Sequence, residues 1–182
     1  MAIDNVLKGN TNVNAAGLQI LKNQQNVVDR DQDAARSFEH SMTGLLKGQD
    51  TNTQRPVFIQ RTEVFIRSSL TAAINARRAG FSSLAFTNLG TAIHALQDAT
   101  SPAHRGFQPW HDNEGWWNTS VHIFKESIYP DDRNDKMQVE CRVELEGVVE
   151  YAFDIYIEKV PMPARFFDSD GNLQLPPAYR QR

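Results

Sequence analysis

The chemistry-bearing residues of this chain fall into two pairs with a single histidine between them. His94 and Asp98 stand four positions apart, as do His122 and Glu126, and His104 lies between the pairs. On a helix an i, i+4 spacing puts both side chains on one face, about one turn apart. Imidazole and carboxylate are the ligands that zinc accepts when thiolates are absent. Thiolates are absent here, because Cys141 is the only cysteine of the chain. A zinc site built on cysteines and an intrachain disulfide framework are both excluded. One His-xxx-Asp pair alone reads as readily as a surface ion pair or a helix end. Two pairs flanking a third histidine, in a chain with five histidines, point to metal binding.

Such pairs need helices to carry them, and the apolar spacing supplies helices. Leu18, Leu21, Gln25 and Val28 keep a helical period over 15–28, after a polar, Asn-rich start over 1–13 that reads as a linker-like segment. Phe58, Thr62, Phe65, Ser69, Ala72 and Ala73 predict a helix that opens with Pro56 in its first turn and stops at Gly80. A further helix, capped by Ser82 or Ser83, runs to about Ala99, with Leu84, Leu89, Ile93 and Leu96 as its stripe; Ser101-Pro102 ends it. A short helix over about 119–128 carries His122 and Glu126. The longest spans about 135–159, with Met137, Cys141, Leu145, Val148, Ala152 and Tyr156 in step. No alternating strand pattern and no repeat occurs. The fold class is all-α, a compact helical bundle with a metal cleft between helices: one domain over 14–160 followed by an irregular, proline-bearing tail over 161–182.

Length and charge narrow the field. A chain of 182 residues with 40% hydrophobic and 23% charged residues has the makeup of a globular domain rather than a disordered one. Its 19 Lys and Arg against 22 Asp and Glu give a net charge of -3, which argues against duplex nucleic acid gripped along its phosphates. A nuclease is still allowed, since its metals can supply positive charge. The N-terminal residues show no basic and apolar leader pattern, so the expectation is a chain made without a signal peptide.

The stretch from Leu89 to His104, reading LGTAIHALQDATSPAH, followed by His122-Ile-Phe-Lys-Glu126, resembles the zinc-dependent phospholipase C family, whose superfamily includes single-strand-specific zinc nucleases. The shared pattern is a His-xxx-Asp helix, a proline shortly before a third ligand histidine, and then a His-xxx-Glu helix. The resemblance implies an all-α bundle holding zinc. It also implies that His40, in Phe38-Glu39-His40, is the ligand histidine upstream of the main motif, and that an Asp before it is a ligand: Asp29 fits nearest, with Asp31 and Asp33 as rivals. One zinc would then be held by Asp29, His40, His94 and Asp98, and a second, with an open position, by His104, His122 and Glu126. The family's third site uses an N-terminal Trp and an early His. This sequence starts at Met1 and has no histidine before His40, so the expectation is either a two-zinc variant or missing ligands that lie on a longer parent chain.

The activity implied is hydrolysis of a phosphodiester, with Asp29, Asp98 and Glu126 as the catalytic carboxylates. Asp29 would help to orient or deprotonate the attacking water. The leading substrate is a phospholipid cleaved between glycerol and phosphate, with a single-strand nuclease as the alternative within the same chemistry. A non-catalytic helical binding module stabilised by zinc is the alternative from another class. Trp110, His111, Trp116 and Trp117, in the loop between the ligands, are the candidate substrate-binding residues. An amphipathic Trp ring suits a bilayer interface, and it suits equally well the packing of a long loop onto the bundle. The stretch from Asp98 to Trp110 is also similar to C-terminal toxin domains of bacterial Rhs-type polymorphic proteins. That similarity implies a larger carrier chain, delivery into a neighbouring cell and a cognate immunity protein.

Overall fold

The computed structural model describes residues 2–28, 33–102, 104–111 and 136–180, with backbone only at 111 and 136–141. Five α-helices are seen among them: α1 (Ala2–Leu7), α2 (Ala15–Val28), α3 (Thr51–Arg78), α4 (Ser82–Asp98) and α5 (Lys136–Tyr156). Two 3-10 helices, Ala34–His40 and Pro177–Tyr179, and two three-residue strands, β1 (Thr43–Leu45) and β2 (Pro109–His111), complete the list. The fold is all-α. None of the described helices is long and apolar enough to cross a membrane.

Helix α4 is the axis of the molecule. Ala85, Phe86, Leu89, Gly90, Ala92, Ile93, Ala95 and Leu96 are buried, so apolar side chains surround much of its circumference. A helix patterned in that way must be enclosed, and α2, α3 and α5 pack around it. Close approach by α2 depends on Gly90, where an added Cβ would stand 2.8 Å from the Cβ of Gln24. The cap of α4 is Phe81, without a side-chain hydrogen bond, rather than either serine. Leu84 lies on its exposed side.

Helix α3 begins before Pro56. Asp50 caps it, its Oδ2 accepting from the Thr53 backbone N–H and from the Thr53 hydroxyl, both at 2.9 Å. Pro56 thus lies inside the helix. The buried face runs through Phe58, Thr62, Ile66, Leu70, Ala73 and Ala76. The sequence stripe through Phe65, Ser69 and Ala72 is one position off, because Ile66 and Leu70 bury more apolar surface than Ser69 and Ala72 can.

Both ends of the described chain join the core, which corrects the expectation of a linker-like start. Helix α1 forms within 1–13 and buries Ala2, Ile3 and Leu7. Its apolar residues lie at i and i+4, a pattern that six residues are too few to announce. Residues 161–180 are mostly irregular, as expected, yet Phe166, Phe167, Leu175 and Tyr179 are buried in the main core. Glu63 Oε1 on α3 accepts from the backbone N–H groups of Phe166 and Phe167 at 2.6 and 2.8 Å, which holds this segment down.

The small parallel ribbon has the most bearing on the site. Thr43 pairs with Pro109, Gly44 with Trp110 and Leu45 with His111. It ties the segment after His40 to the segment after His104.

Candidate metal centre

The last turn of α4 presents His94 and Asp98 on one face, as their spacing predicts. The 3-10 helix Ala34–His40 brings His40 against them from a position 58 residues away from Asp98. The Nδ1 of His40 and the Nε2 of His94 each lie 3.0 Å from Asp98 Oδ2 and 3.1 Å from one another. The two rings meet edge to face. Both histidines are buried, and the Asp98 side chain keeps 18% of its surface exposed. Among the described residues these three form the candidate metal-binding triad.

The two imidazole nitrogens and the carboxylate oxygen are close enough for hydrogen bonds among themselves, and the same nitrogen and oxygen donor set is one that a zinc ion accepts, so the residues present fit a metal.

The electrostatics favour an ionised Asp98. Burial opposes its charge, but in the metal-free site His94, His40 and His104, when protonated, outweigh that through charge and hydrogen bonds and hold its carboxyl well below the usual range.

His104 is buried next to the triad, its Nδ1 4.0 Å from Asp98 Oδ2. That Nδ1–H donates to the backbone carbonyl of His40. A backbone acceptor on one ring nitrogen fixes the tautomer and leaves the other as the lone-pair nitrogen, the arrangement that orients ligand histidines. The carbonyl it uses is itself set by the chain reversal at Ser41, which has φ 53° and donates from Oγ to the carbonyl of Ala95 on α4 at 2.7 Å. Thr62 Oγ1 on α3 donates to the Phe38 carbonyl at 2.7 Å. Thr43 Oγ1 donates to the Phe107 carbonyl at 2.8 Å.

Compared with protein-family models, with curated proteins and with solved structures, the chain finds no match.

Of the residues singled out from the sequence, His40, His94, Asp98 and His104 come together. Asp29, Asp31, His122, Glu126, Trp116 and Trp117 lie outside the described residues. Asp33 caps the first 3-10 helix, Oδ1 accepting from the Ala35 N–H at 2.8 Å, which is the capping alternative for that acid. Trp110 is buried in a small cluster with Ala34 and Met42. Its expected place in a membrane interface is corrected: with 8% of its surface exposed, the ring packs the loop onto the bundle. The backbone places His111 in β2.

Ser41, Gly44 and Thr62 support the site and were not singled out in the sequence. A glycine four residues after a ligand histidine was the only signal on offer. At Gly44 an added Cβ would stand 1.7 Å from the Ala34 carbonyl oxygen. A cavity of about 470 Å³ opens on the same elements, lined by Arg36 and Glu39 from the 3-10 helix, Thr91 from α4 and Val28 from α2. Arg36 Nε pairs with Glu39 Oε1 at 2.8 Å, so the cavity wall is locally balanced in charge there.

Proposed function

We propose that this chain is a zinc-dependent phosphoric diester hydrolase of the phospholipase C kind. The observation that carries the reading is the convergence of His40, His94 and Asp98 on one point, with a tautomer-fixed His104 beside them. Zinc bound there would lower the pKa of a bound water from about 15.7 to about 7 and offset charge on the phosphoryl oxygens. In this reading His40, His94 and Asp98 hold the first ion, joined by Asp29. His104, His122 and Glu126 hold the second. The protein's own part is to hold two neutral imidazoles and one carboxylate in a fixed, largely dry arrangement. The exposed part of Asp98 then marks the side from which substrate and water approach. Phospholipid is the preferred substrate class on the strength of the sequence resemblance and the chain's net charge of -3, which gives little long-range attraction for a polyanion. The resemblance of residues 98–110 to polymorphic toxin domains extends the proposal to a delivered effector, met in the producing cell by an immunity protein.

The deciding assay presents zinc-loaded protein with phospholipid vesicles, a soluble aryl phosphodiester and single-stranded DNA and RNA, with chelator and His94→Ala controls. Chelator-sensitive cleavage of lipid and of the aryl diester is expected. Cleavage of single strands alone would transfer the reading to the nuclease. Cleavage of none of them, by protein shown to bind zinc, would favour the structural-zinc module.

A further inference from the structure

Two consecutive residues soon after His104 take left-handed backbone angles: Gly106 has φ 73° and Phe107 has φ 55°. Glycine accepts such an angle without cost, whereas a side chain as bulky as phenylalanine rarely does. An angle of this kind persists only where its surroundings over-determine it. For Phe107 those surroundings include the segment after α5. Its ring is 1% exposed and meets the Phe167 ring edge to face, with centroids 5.1 Å apart. Gly171, at φ 83°, lies so close that an added Cβ would stand 2.6 Å from Phe107 Cδ2. Phe167 and Gly171 belong to one hairpin, closed by an antiparallel bridge between Phe167 and Leu173 and by the Gly171 N–H donating to the Asp168 carbonyl at 3.2 Å.

The turn made by these angles carries the backbone from His104 to the strand that pairs with β1. The Gln108 N–H donates to the His104 carbonyl at 3.3 Å. The Phe107 carbonyl accepts from Thr43 Oγ1 at 2.8 Å, and the Gln108 carbonyl accepts from the Thr43 N–H at 3.0 Å. Thr43 stands three residues after His40, whose carbonyl takes the Nδ1–H of His104. Both ends of that ring-to-carbonyl bond are thus tied to the turn at Phe107. We propose that Phe107 is a positioning residue for His104, and that the hairpin over 166–173 holds Phe107 to that task. What the hairpin then controls is the setting of the His104 ring and which of its nitrogens carries the proton. The consequence for metal rests on the reading of His104 as a ligand; the positioning of the ring does not.

The test reads the ring itself. In the full-length, metal-free chain labelled with nitrogen-15 at histidine, two-bond proton–nitrogen correlations report the tautomer of each imidazole, at one pH above the usual histidine range. The signals lost in His104→Gln assign that ring. Phe107→Leu and Gly171→Ala disturb the turn, whereas Tyr179→Phe loosens the same C-terminal segment at another point. Circular dichroism identifies a variant that has lost its fold, and where Gly171→Ala does not fold, the milder Phe107→Leu decides. The expected result is a fixed Nδ1–H tautomer for His104 in the native chain and in Tyr179→Phe. In Phe107→Leu and Gly171→Ala the signals move toward the averaged pattern of imidazole in solution. Zinc affinity by chelator competition falls in those two by about 10–100-fold, the range for lost support around a ligand. An unaltered His104 pattern in folded Phe107→Leu, or an equal change in Tyr179→Phe, would overturn the proposal. A moved His104 pattern in a protein whose native form binds no zinc would leave the positioning standing and remove the metal reading.

Discussion

Asp98 is the residue on which the site turns, because both imidazole nitrogens converge on its Oδ2. Asp98→Asn keeps the shape and takes away the charge. Loss of a supporting hydrogen bond around a ligand costs about 10–100-fold in metal affinity, so loss of the ligating charge is expected to exceed that range. Ser41→Ala, which removes the Oγ bond to Ala95 and leaves every ligand in place, is expected to fall within it. Chelator competition on the two variants, with helicity as the control for folding, checks the order. The partnership of His94 with Asp98 was legible in the sequence because both residues sit on one helix, where geometry follows from spacing. No local rule links His40 to them. That contact is tertiary, and only the resemblance to a known motif suggested it. Ser41 left no trace in the sequence at all, since what matters is its backbone angle and a carbonyl on another helix.

The long helices α2 to α5 were legible, the six-residue α1 and the ribbon were not, and the short helix expected over about 119–128 lies outside the described residues. Apolar period, a proline and a glycine stop suffice to place helices of 14 to 28 residues within a few positions. A three-residue strand is too short to display alternation, and β1 with β2 exists because two loops meet, not because either segment prefers to be extended. Gly44 is the hinge of that arrangement. In Gly44→Ala the new methyl group would overlap the Ala34 carbonyl, a backbone atom that can move only if the 3-10 helix carrying His40 moves with it. The expected cost is at or above the upper end of the about 1–3 kcal/mol that overpacking usually brings. A weaker grip on metal should accompany it, because His40 is displaced. Thermal unfolding and a metal titration of this one variant test the two effects together. Gly80, in the turn between α3 and α4 and farther along the chain from the ligands, has open space around its Cβ position, and its substitution should affect stability through its positive φ alone.

Across the whole molecule, the segment after α5 is secured by a buried polar cluster that metal binding does not involve. Asp154 Oδ2 accepts from the Tyr179 hydroxyl and from Lys159 Nζ, both at 2.9 Å. Tyr179 also packs its ring against Tyr151. Tyr179→Phe leaves a buried carboxylate with one partner fewer, at an expected cost of about 1–3 kcal/mol in denaturant unfolding. The sign of the pH effect follows from the same surroundings. Burial, the hydrogen bond to Asp154 and the negative charges of Asp154 and Glu150 all push the Tyr179 phenol up, and burial also raises Tyr151 and Tyr156. A phenol raised in the folded state adds stability that is complete below its unfolded value of about 10 and is lost as pH climbs through the folded value. Alkaline unfolding should therefore begin above about pH 10 and be shallower in Tyr179→Phe.

The triad joins a helix that is central in the core to a short segment held from outside it, and that difference has a consequence in time. Helices α3 and α4 are neighbours in sequence and can zip together early, since their contacts close only a short loop. The 3-10 helix Ala34–His40 is attached to them by hydrogen bonds from Ser41 to Ala95, from Thr62 to Phe38 and from Arg61 to the Ala35 carbonyl, and by the Phe38 ring set edge to face on Phe65. Bringing His40 to Asp98 closes a much longer stretch of chain, so this segment is expected to dock after α3 and α4 have paired. His94 and Asp98 then wait as a half-built pair for His40 to arrive. An ion bound across all three would act as a latch on that last docking step, so the metal's affinity and the stability of the closed 3-10 segment would be linked.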